Sequence, residues 1–572
     1  MRYSELAEIY EKLEKEPGKL KKAEIISVLL KEAPAELLPK IILLLQGRVF
    51  PFWDERQIGV ASQMMIKALA KATGFSEDKI KQKFAKAGDL GIVAEEFVAD
   101  KKQTSFTKKL LTVEEVFSHL QKIAEQMGAG SQERKLNLIV EMLSQVKPKE
   151  ARYLVRSALE QLRVGVAEGI VRDAIASAFK IDVDILESAW FVLPDYGEVA
   201  EIAKEKGEVG LKRIKPKLGV PLMVQLAEKS PSLEEAMKSF ENPELEIKYD
   251  GARLVIHKDG NKIKLFTRRL EDVTNAFPDV VELCRKNIHA ERAILDSETI
   301  AVDSKTGKPQ PFQKLSQRIK RKYDIEKTIK EIPTQVNLFD IISLDGKAFF
   351  ETPLSERRRI LQKIVREVKG KFQLAEALEP KDLKEAEKFY KFALEMGEEG
   401  VIVKNLEANY TPGRRVAGGW LKVKPTMENL DLAIIGATWG TGKRTGWLGS
   451  LILGVRDPES GKFLECGMLG TGIKEKKNAT DDLTLEELTK ILKPHILEQK
   501  GSDVKIKPKI IIEVGYEEIQ KSQNYASGWA LRFPRFIRLR EDKGPEEADT
   551  IERLRALAQI QKGRGPKETG EK

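Results

Sequence analysis

The period of the apolar residues changes once along the chain, and that change dictates its architecture. Up to about residue 210, apolar residues recur at i, i+3, i+4 and i+7 in SELAEIYEKLEKE, AEIISVLLKEA, VEEVFSHLQKIAEQM, ERKLNLIVEMLSQV and ARYLVRSALEQLRVG. That repeat belongs to helices buried along one stripe. Pro17, Pro34, Pro148 and Gly165 mark their stops and starts. From about residue 245 the period falls to two, and LEIKYDG, RLVIHKDGNKIKLFT, AILDSETIAV, QVNLFDII, GVIVK and WLKVK read as strands, interrupted by helical stretches such as LSERRRILQKIVREV. After Pro425 come short strands with Gly-rich turns (DLAIIGATWG, GSLILGVRD, KFLECGML), then a helix at TLEELTKIL, a strand at IIIEVGYEEI and a terminal helix through EEADTIERLRALAQIQ. A multidomain chain is expected: an all-α unit over 1–215, an α+β unit over 216–424, and a small β-barrel with a helical tail over 425–572. The length of 572 residues agrees, because domains run to roughly 100–200 residues.

Composition removes several functional classes. Hydrophobic residues are 41% and charged residues 33%, the balance of a folded globular chain, and no apolar run approaches the ~18 residues that span a bilayer. The start, MRYSELAEIYEKLEKEPGK, lacks the apolar stretch of a secretory signal, so a cytoplasmic, membrane-free protein is expected. Cys284 and Cys466 stand alone, and with His119, His257, His289 and His495 they complete the soft ligands. Structural zinc and a disulfide framework are not expected. Lys and Arg outnumber Asp and Glu by 99 to 89, a net charge of +10 that suits a polyanionic partner.

In LEIKYDGAR, strand alternation places Glu246, Lys248 and Asp250 on one face and Ile247 and Tyr249 on the other. The following RLVIHKDGNKIKLFTRR reads as a hairpin turning at Asp259-Gly260. A two-residue loop would put Arg253 and Arg268 on one face; a three-residue loop would separate them. Read in isolation, KYDG also fits a solvated strand face. The rest of the chain shifts the balance: Lys248-Tyr249-Asp250-Gly251-Ala252-Arg253 is followed in order by Arg268 in FTRRLEDVT, Glu298 in ILDSETIA, Phe339 in NLFDII, Glu399 and Lys404 in EEGVIVK, Lys422 and Lys424 in WLKVKP, and RFPRFIRLREDKG at 532–544.

This ordered set resembles the nucleotidyl-transfer signature of polynucleotide ligases and capping enzymes, K-x-D-G-x-R and its later elements, with Ser297 where the family usually has Gly. The resemblance implies that Lys248 is a nucleophile forming a lysyl-AMP phosphoramidate with loss of pyrophosphate. An amine attacks only when neutral, so nearby cations, metal or desolvation are expected to lower its pKa. By the same resemblance Glu246 accepts a hydrogen bond from the adenine amino group and Phe339 offers a stacking face. Arg268 and Glu298 hold the ribose, and Arg253 contacts the phosphates. Lys422 and Lys424, sharing a strand face with Trp420, reach the same phosphate. One of Arg414 and Arg415 belongs to the basic pair upstream of that strand, and which one is left open. Glu399, with Glu298, suits Mg²⁺, with Mn²⁺ as an alternative, because hard cations take carboxylate oxygens. The terminal motif, including Arg532, Arg540, Asp542 and Lys543, orients the pyrophosphate.

A helical unit of this size in front of Lys248 distinguishes the chain from most capping enzymes and RNA ligases. GAGSQERKLNLI and LRVGVAEGIVRDAIASAF resemble the DNA-binding domain of archaeal and eukaryotic ATP-dependent DNA ligases, closest to the archaeal replicative type. The resemblance implies a helical DNA-binding domain, an adenylation domain and a C-terminal OB-fold barrel, acting as a monomer on nicked duplex DNA with ATP as donor, in replication, repair and recombination. Gly128, Ser131 and Gly165 are expected at helix starts, where backbone N–H groups meet phosphates. Gln103 and Phe106, in KKQTSFTKK, have the Q-x-x-F spacing of a sliding-clamp-binding peptide. An RNA ligase or capping enzyme, and a non-catalytic DNA-binding scaffold, are the alternatives. The first would prefer RNA or GTP, and the second has no chemical need for Lys248, Glu298, Glu399 and Lys422 together.

Overall fold

A computed structural model of the chain describes residues 1–101, 110–319, 324–416, 418–425, 427–475, 477 and 483–560. Gln103 and Phe106 lie outside the described residues. Helices run from Tyr3–Lys15 to Tyr196–Lys212, and no strand is named among the described residues between them. Their apolar stripes meet in one core that includes Leu6, Tyr10, Ile26, Leu44, Leu69, Leu120, Leu154 and Ile175. Helix Ser131–Gln145 begins as expected after Gly128 and Gly130, whose φ angles of 75° and 73° suit glycine.

Two expectations in this region need correction. ARYLVRSALEQLRVG does not stay helical to Gly165: the helix Pro148–Ala158 stops, and Glu160 and Arg163 adopt φ of 56° and 60°. The buried Arg156 guanidinium is tied to Glu14 and Asp89, and the Arg156 carbonyl accepts from the Gln161 N–H at 2.8 Å, which closes the last turn. Nor is Gly165 at a helix start, because the next helix is Glu168–Phe179 with Ala167 as its cap. The loop is pinned instead by Lys22, whose ammonium donates to the carbonyls of Val164 (2.6 Å) and Gly165 (3.4 Å).

The central region contains strands β1 (Glu228–Lys229), β2 (Pro243–Lys248), β3 (Ala252–Asp259), β4 (Lys262–Thr267), β5 (Arg292–Val302), β6 (Pro309–Gln310), β7 (Thr334–Leu344), β8 (Lys347–Ala348), β9 (Phe372–Leu374), β10 (Ala377–Leu378), β11 (Gly400–Asn405) and β12 (Trp420–Val423). They form two sheets. One has the order β4-β3-β5-β7-β8 with β6 on β5 and β9 on β7; the other runs β1-β12-β11-β2-β10. Asp259 pairs with Lys262, so the β3–β4 hairpin has a two-residue loop. Continuing the register beyond Leu254 and Thr267 puts Arg253 opposite Arg268. Leu254, Leu265, Leu295, Leu338 and Phe372 build the core of the first sheet. Ile247, Ile294, Phe339, Val401 and Trp420 fill the space between the two. The helix predicted over LSERRRILQKIVREV ends early, spanning Leu354–Ile364.

The C-terminal region is rich in strands: β13 (Leu430–Trp439), β14 (Leu448–Arg456), β15 (Phe463–Leu469), β16 (Ile496–Lys500), β17 (Asp503–Ile506), β18 (Ile511–Gly515), β19 (Glu518–Lys521), β20 (Trp529–Arg532) and β21 (Arg535–Leu539). β13 pairs with β14 on one side, and on the other with β18 through Leu430–Ala433 and then with β17 through Gly436–Thr438. One strand can serve two successive neighbours only by bending, and its register shifts between Ile434 and Gly436. IIIEVGYEEI therefore splits at Tyr516-Glu517 into two strands. The ladders among the described residues do not complete a ring. Just past β15, Thr471 O accepts from the Phe536 N–H at 3.0 Å. Helix Ile551–Ile560 closes the core through Ile551, Leu554 and Leu557. Among the described residues no helix is long and apolar enough to cross a membrane.

Candidate active site

The seam between the two central sheets collects the charged residues of the sequence motifs. Lys248 ends β2 opposite Gly400 of β11, and the Glu399 N–H donates to the Lys248 carbonyl at 3.0 Å. β12, antiparallel to β11, brings in Lys422, and Lys424 follows its last residue. From the facing sheet, Arg253 of β3 lies beside Glu298 of β5. Two glycines permit this convergence. A Cβ at Gly251 would lie 2.5 Å from Thr299 O, and at Gly400, whose φ is +134°, a Cβ would run into Val423 O of the neighbouring strand. Gly400→Ala is expected to destabilise the fold by about 3 kcal/mol, which chemical denaturation checks.

Lys248 forms an ion pair with Glu399, which also binds Lys424 at 2.7 Å. Burial works against the Glu399 charge, yet the two ammonium groups prevail and its carboxyl is lowered to about 2. Burial likewise works to lower Lys248, but Glu399, followed by Glu298 and Asp250, holds the amine above its usual value. This reverses the lowered pKa expected of a nucleophile: in this arrangement Lys248 is a protonated cation, locked to a carboxylate. Burial pushes Glu298 up to about 8, against Lys248 and Arg253. Burial and then Glu399 raise Asp250 to about 6. Lys422 is lowered by burial and by Lys424 and Lys248.

The basic pair divides. Arg414 turns away to Asp184 of the helical region (2.9 Å) and lies over Phe191. Arg415 stands close enough for its charge to lower both Arg268 and Lys422. The Arg253 guanidinium is held from two sides: its Nε donates to Asp296 at 2.8 Å and its Nη1 to Gln225 O at 2.6 Å. Tyr410 donates to the same Asp296. Phe339 is buried, edge-on to Trp420 at 5.9 Å, with the Lys404 ammonium 4.5 Å from both rings. Trp420 is thus core rather than part of an open strand face. Lys404 donates to Glu246 Oε1 at 2.7 Å, and Arg358 binds the other oxygen. Ser297 is fully buried and donates to Leu254 O at 2.8 Å.

The terminal motif also divides. Arg532 donates to Glu518 at 3.1 Å, and its charge reaches Glu399 and Asp250. Arg540 and Lys543 instead converge on Asp431, each at 2.7 Å, with Asp542 capping the Arg540 fork. The C-terminal strands touch the rim of the site through Gln520, which accepts from Gln313 at 2.7 Å, and through Glu517, 3.9 Å from Lys424. Sequence reasoning missed Glu398, Asp296, Tyr410 and Arg358. Glu398 is buried and accepts from the Asp250 N–H at 2.7 Å, and burial raises it to about 7. Its place beside Glu399 in EEG was the available signal.

Among the described residues no group of three or more His, Cys, Asp or Glu could hold a metal ion. A hydrated Mg²⁺ takes one or two carboxylates together with substrate phosphates, and Glu298 and Glu399, the two carboxylates that act most on the Lys248 charge, could supply them.

Residues 2–176 match the DNA ligase N terminus, 224–424 the ATP dependent DNA ligase domain, and 444–543 the ATP dependent DNA ligase C terminal region. The DNA ligase of Nanoarchaeum equitans is 48% identical over 564 residues, covering 98% of this chain and 99% of its own. That of Thermococcus onnurineus is 45% identical over 562 residues, covering 98% of each. A solved structure described as Pmar-Lig_Pre. shares the fold with a TM-score of 0.53 at 18% identity, over 94% of this chain and 99% of that one. The match in all three regions, and the identity to archaeal relatives along nearly their whole length, place this chain in the ATP-dependent DNA ligase family.

Proposed function

We propose that the chain seals nicks in duplex DNA by passing AMP from ATP through Lys248 to a 5′-phosphate. The observation that carries this reading is Lys248 itself, half-buried at the seam of two sheets and paired with Glu399, with the cationic Lys422, Lys424, Arg268 and Arg415 grouped beside it. The Lys248 ammonium first gives up a proton. Its nitrogen then attacks the α-phosphorus of ATP, forming the P–N bond as the bond to the β-phosphate oxygen breaks and pyrophosphate leaves. A DNA 5′-phosphate oxygen next displaces the lysine. Finally the 3′-hydroxyl, losing its proton, displaces AMP and forms the phosphodiester.

Around that step Glu246 reads the adenine amino group and Phe339 stacks on the base. Glu298 and Arg268 hold the ribose. Lys422, Lys424 and Arg415 balance the phosphate oxygens, and Arg532 approaches from the C-terminal side. Mg²⁺, held by Glu298 and Glu399, supplies charge neutralisation when bound. Arg253, held in place by Asp296 and Gln225 O, contacts the phosphates. The units 1–215, 216–424 and 425–572 serve DNA binding, adenylation and a second DNA contact through an oligonucleotide-binding barrel. Arg540 and Lys543, once they leave Asp431, orient pyrophosphate together with Asp542. Gly128 and Ser131 open a helix toward a phosphate. Gly165 adds backbone amides from its loop. The protein acts as a monomer, with a sliding clamp as partner.

Sealing of a 5′-phosphorylated nick in duplex DNA with ATP and Mg²⁺ tests the reading. Joining is expected with ATP and not GTP, on DNA in preference to RNA. Binding should weaken steeply with salt, the log–log slope being about −0.9 for each phosphate neutralised. Joining of RNA ends alone, or use of GTP, would overturn it.

A further inference from the structure

A buried ion network around Glu246 and Lys404 draws in two residues outside the signature motifs, Arg358 and Glu244. Arg358, on helix Leu354–Ile364, is 8% exposed and bridges two carboxylates of β2. Its Nε and Nη2 donate to Glu244 Oε1 at 3.1 and 2.7 Å, and Nη2 also binds Glu246 Oε2. Glu244 and Glu246, two residues apart on one strand face, are 6% and 2% exposed. Two buried carboxylates that close repel each other unless cations separate them. Lys404, fully buried, holds the remaining Glu246 oxygen and lies between Phe339 and Trp420. Both Glu246 oxygens are therefore fixed from behind by cations of different elements, and the plane of the carboxylate is set by Arg358 and Lys404 together. A guanidinium does this better than an ammonium because its planar fork spans two acceptors at once.

We infer that Arg358 is a positioning residue for base selection: by bridging Glu244 and Glu246 it fixes the Glu246 carboxylate in the orientation that accepts from the exocyclic amine of adenine and disfavours guanine. This rests on the reading that Glu246 recognises the base. Next to it, Arg357 offers a control. It is fully buried and ion-paired with Asp340 at 2.7 and 3.0 Å, without touching Glu246.

The test measures KM and kcat for nick sealing driven by ATP and by GTP in Arg358→Met, Arg358→Lys, Arg357→Met and Glu246→Ala, each checked for folding by circular dichroism. Arg358→Met should raise KM for ATP about tenfold with little change in kcat, and narrow the ATP-over-GTP preference about tenfold. Arg358→Lys, which keeps the charge and the space, should restore part of both; it carries the test if Arg358→Met does not fold. Arg357→Met should melt earlier and keep the preference. If Glu246→Ala loses the preference while the Arg358 variants keep it, the role of Arg358 is refuted and the reading of Glu246 stands. If Glu246→Ala keeps it too, both fall. An equal loss of preference in Arg357→Met and Arg358→Met would reduce Arg358 to a structural residue.

Discussion

Lys248→Ala will take up no AMP from ATP, and nick sealing with ATP will fall by about 10⁴-fold or more, the scale on which enzymes lose rate when a nucleophile is removed. The fold should survive. Glu399 keeps Lys424 at 2.7 Å after the substitution, so no carboxylate is left without a cation, and the thermal midpoint should stay within a few degrees of wild type. The same variant should still join a nick whose 5′-phosphate already carries AMP, because the 3′-hydroxyl attack needs no lysine nucleophile. Loss of the first activity with survival of the last separates the nucleophile from a residue that merely shapes the site. Intact-protein mass after incubation with ATP and Mg²⁺, beside sealing of the two nicks, provides the comparison.

Glu399→Gln has two effects of opposite sign, and the pH profile separates them. Lys248 stands above its usual value because Glu399 outweighs burial. Below that value the neutral, attacking amine grows about tenfold per pH unit, so wild-type adenylation should rise with pH through the neutral and mildly alkaline range. Without the Glu399 charge, burial is opposed by Glu298 and Asp250 without their strongest ally, the Lys248 pKa falls, and the rise should move to lower pH. The plateau should nevertheless drop by roughly 10²–10³-fold, since the variant loses a metal-organising carboxylate and its share of transition-state charge balance. A plateau equal to wild type would remove Glu399 from the metal; a profile that does not move would remove it from control of Lys248. In stability the sign is set by Glu399 itself. Its folded carboxyl, lowered to about 2, favours the native state above the unfolded carboxylate range, and that contribution is lost as pH falls through about 2.

Much of the site was legible because its chemistry is local in sequence. Strand alternation in LEIKYDG puts Glu246 and Lys248 on one strand, and the Asp259-Gly260 turn signal leads to a hairpin whose pairing runs to Leu254 and Thr267, the neighbours of Arg253 and Arg268. Three kinds of information were not local. Arg156, in the last turn of helix Pro148–Ala158, meets Glu14 and Asp89, far away in sequence. The split between Arg414 and Arg415 depends on which surface each meets after the chain folds back on the helical region. The Lys248 pKa depends on Glu399, which the β2–β11 pairing brings alongside. Strands Ile496–Lys500 and Asp503–Ile506 were missed because ILEQK and DVKI are mostly polar; Gly501-Ser502, their two-residue loop, was the overlooked sign. Arg358 gave no signal at all, since a helical arginine reads as surface until its carboxylate partners are known.

The central claim is that AMP travels through one lysine to DNA, and a single-turnover chase tests it most directly. The protein would be charged with labelled ATP, freed of nucleotide, and mixed with an unlabelled nick in duplex DNA, with peptide mapping of the charged protein in parallel. The account predicts label on Lys248 that leaves the protein, appears on the 5′-phosphate and is released as AMP when the strand is sealed. Label on another residue, or label on Lys248 that stays on the protein while the nick is sealed, would contradict it.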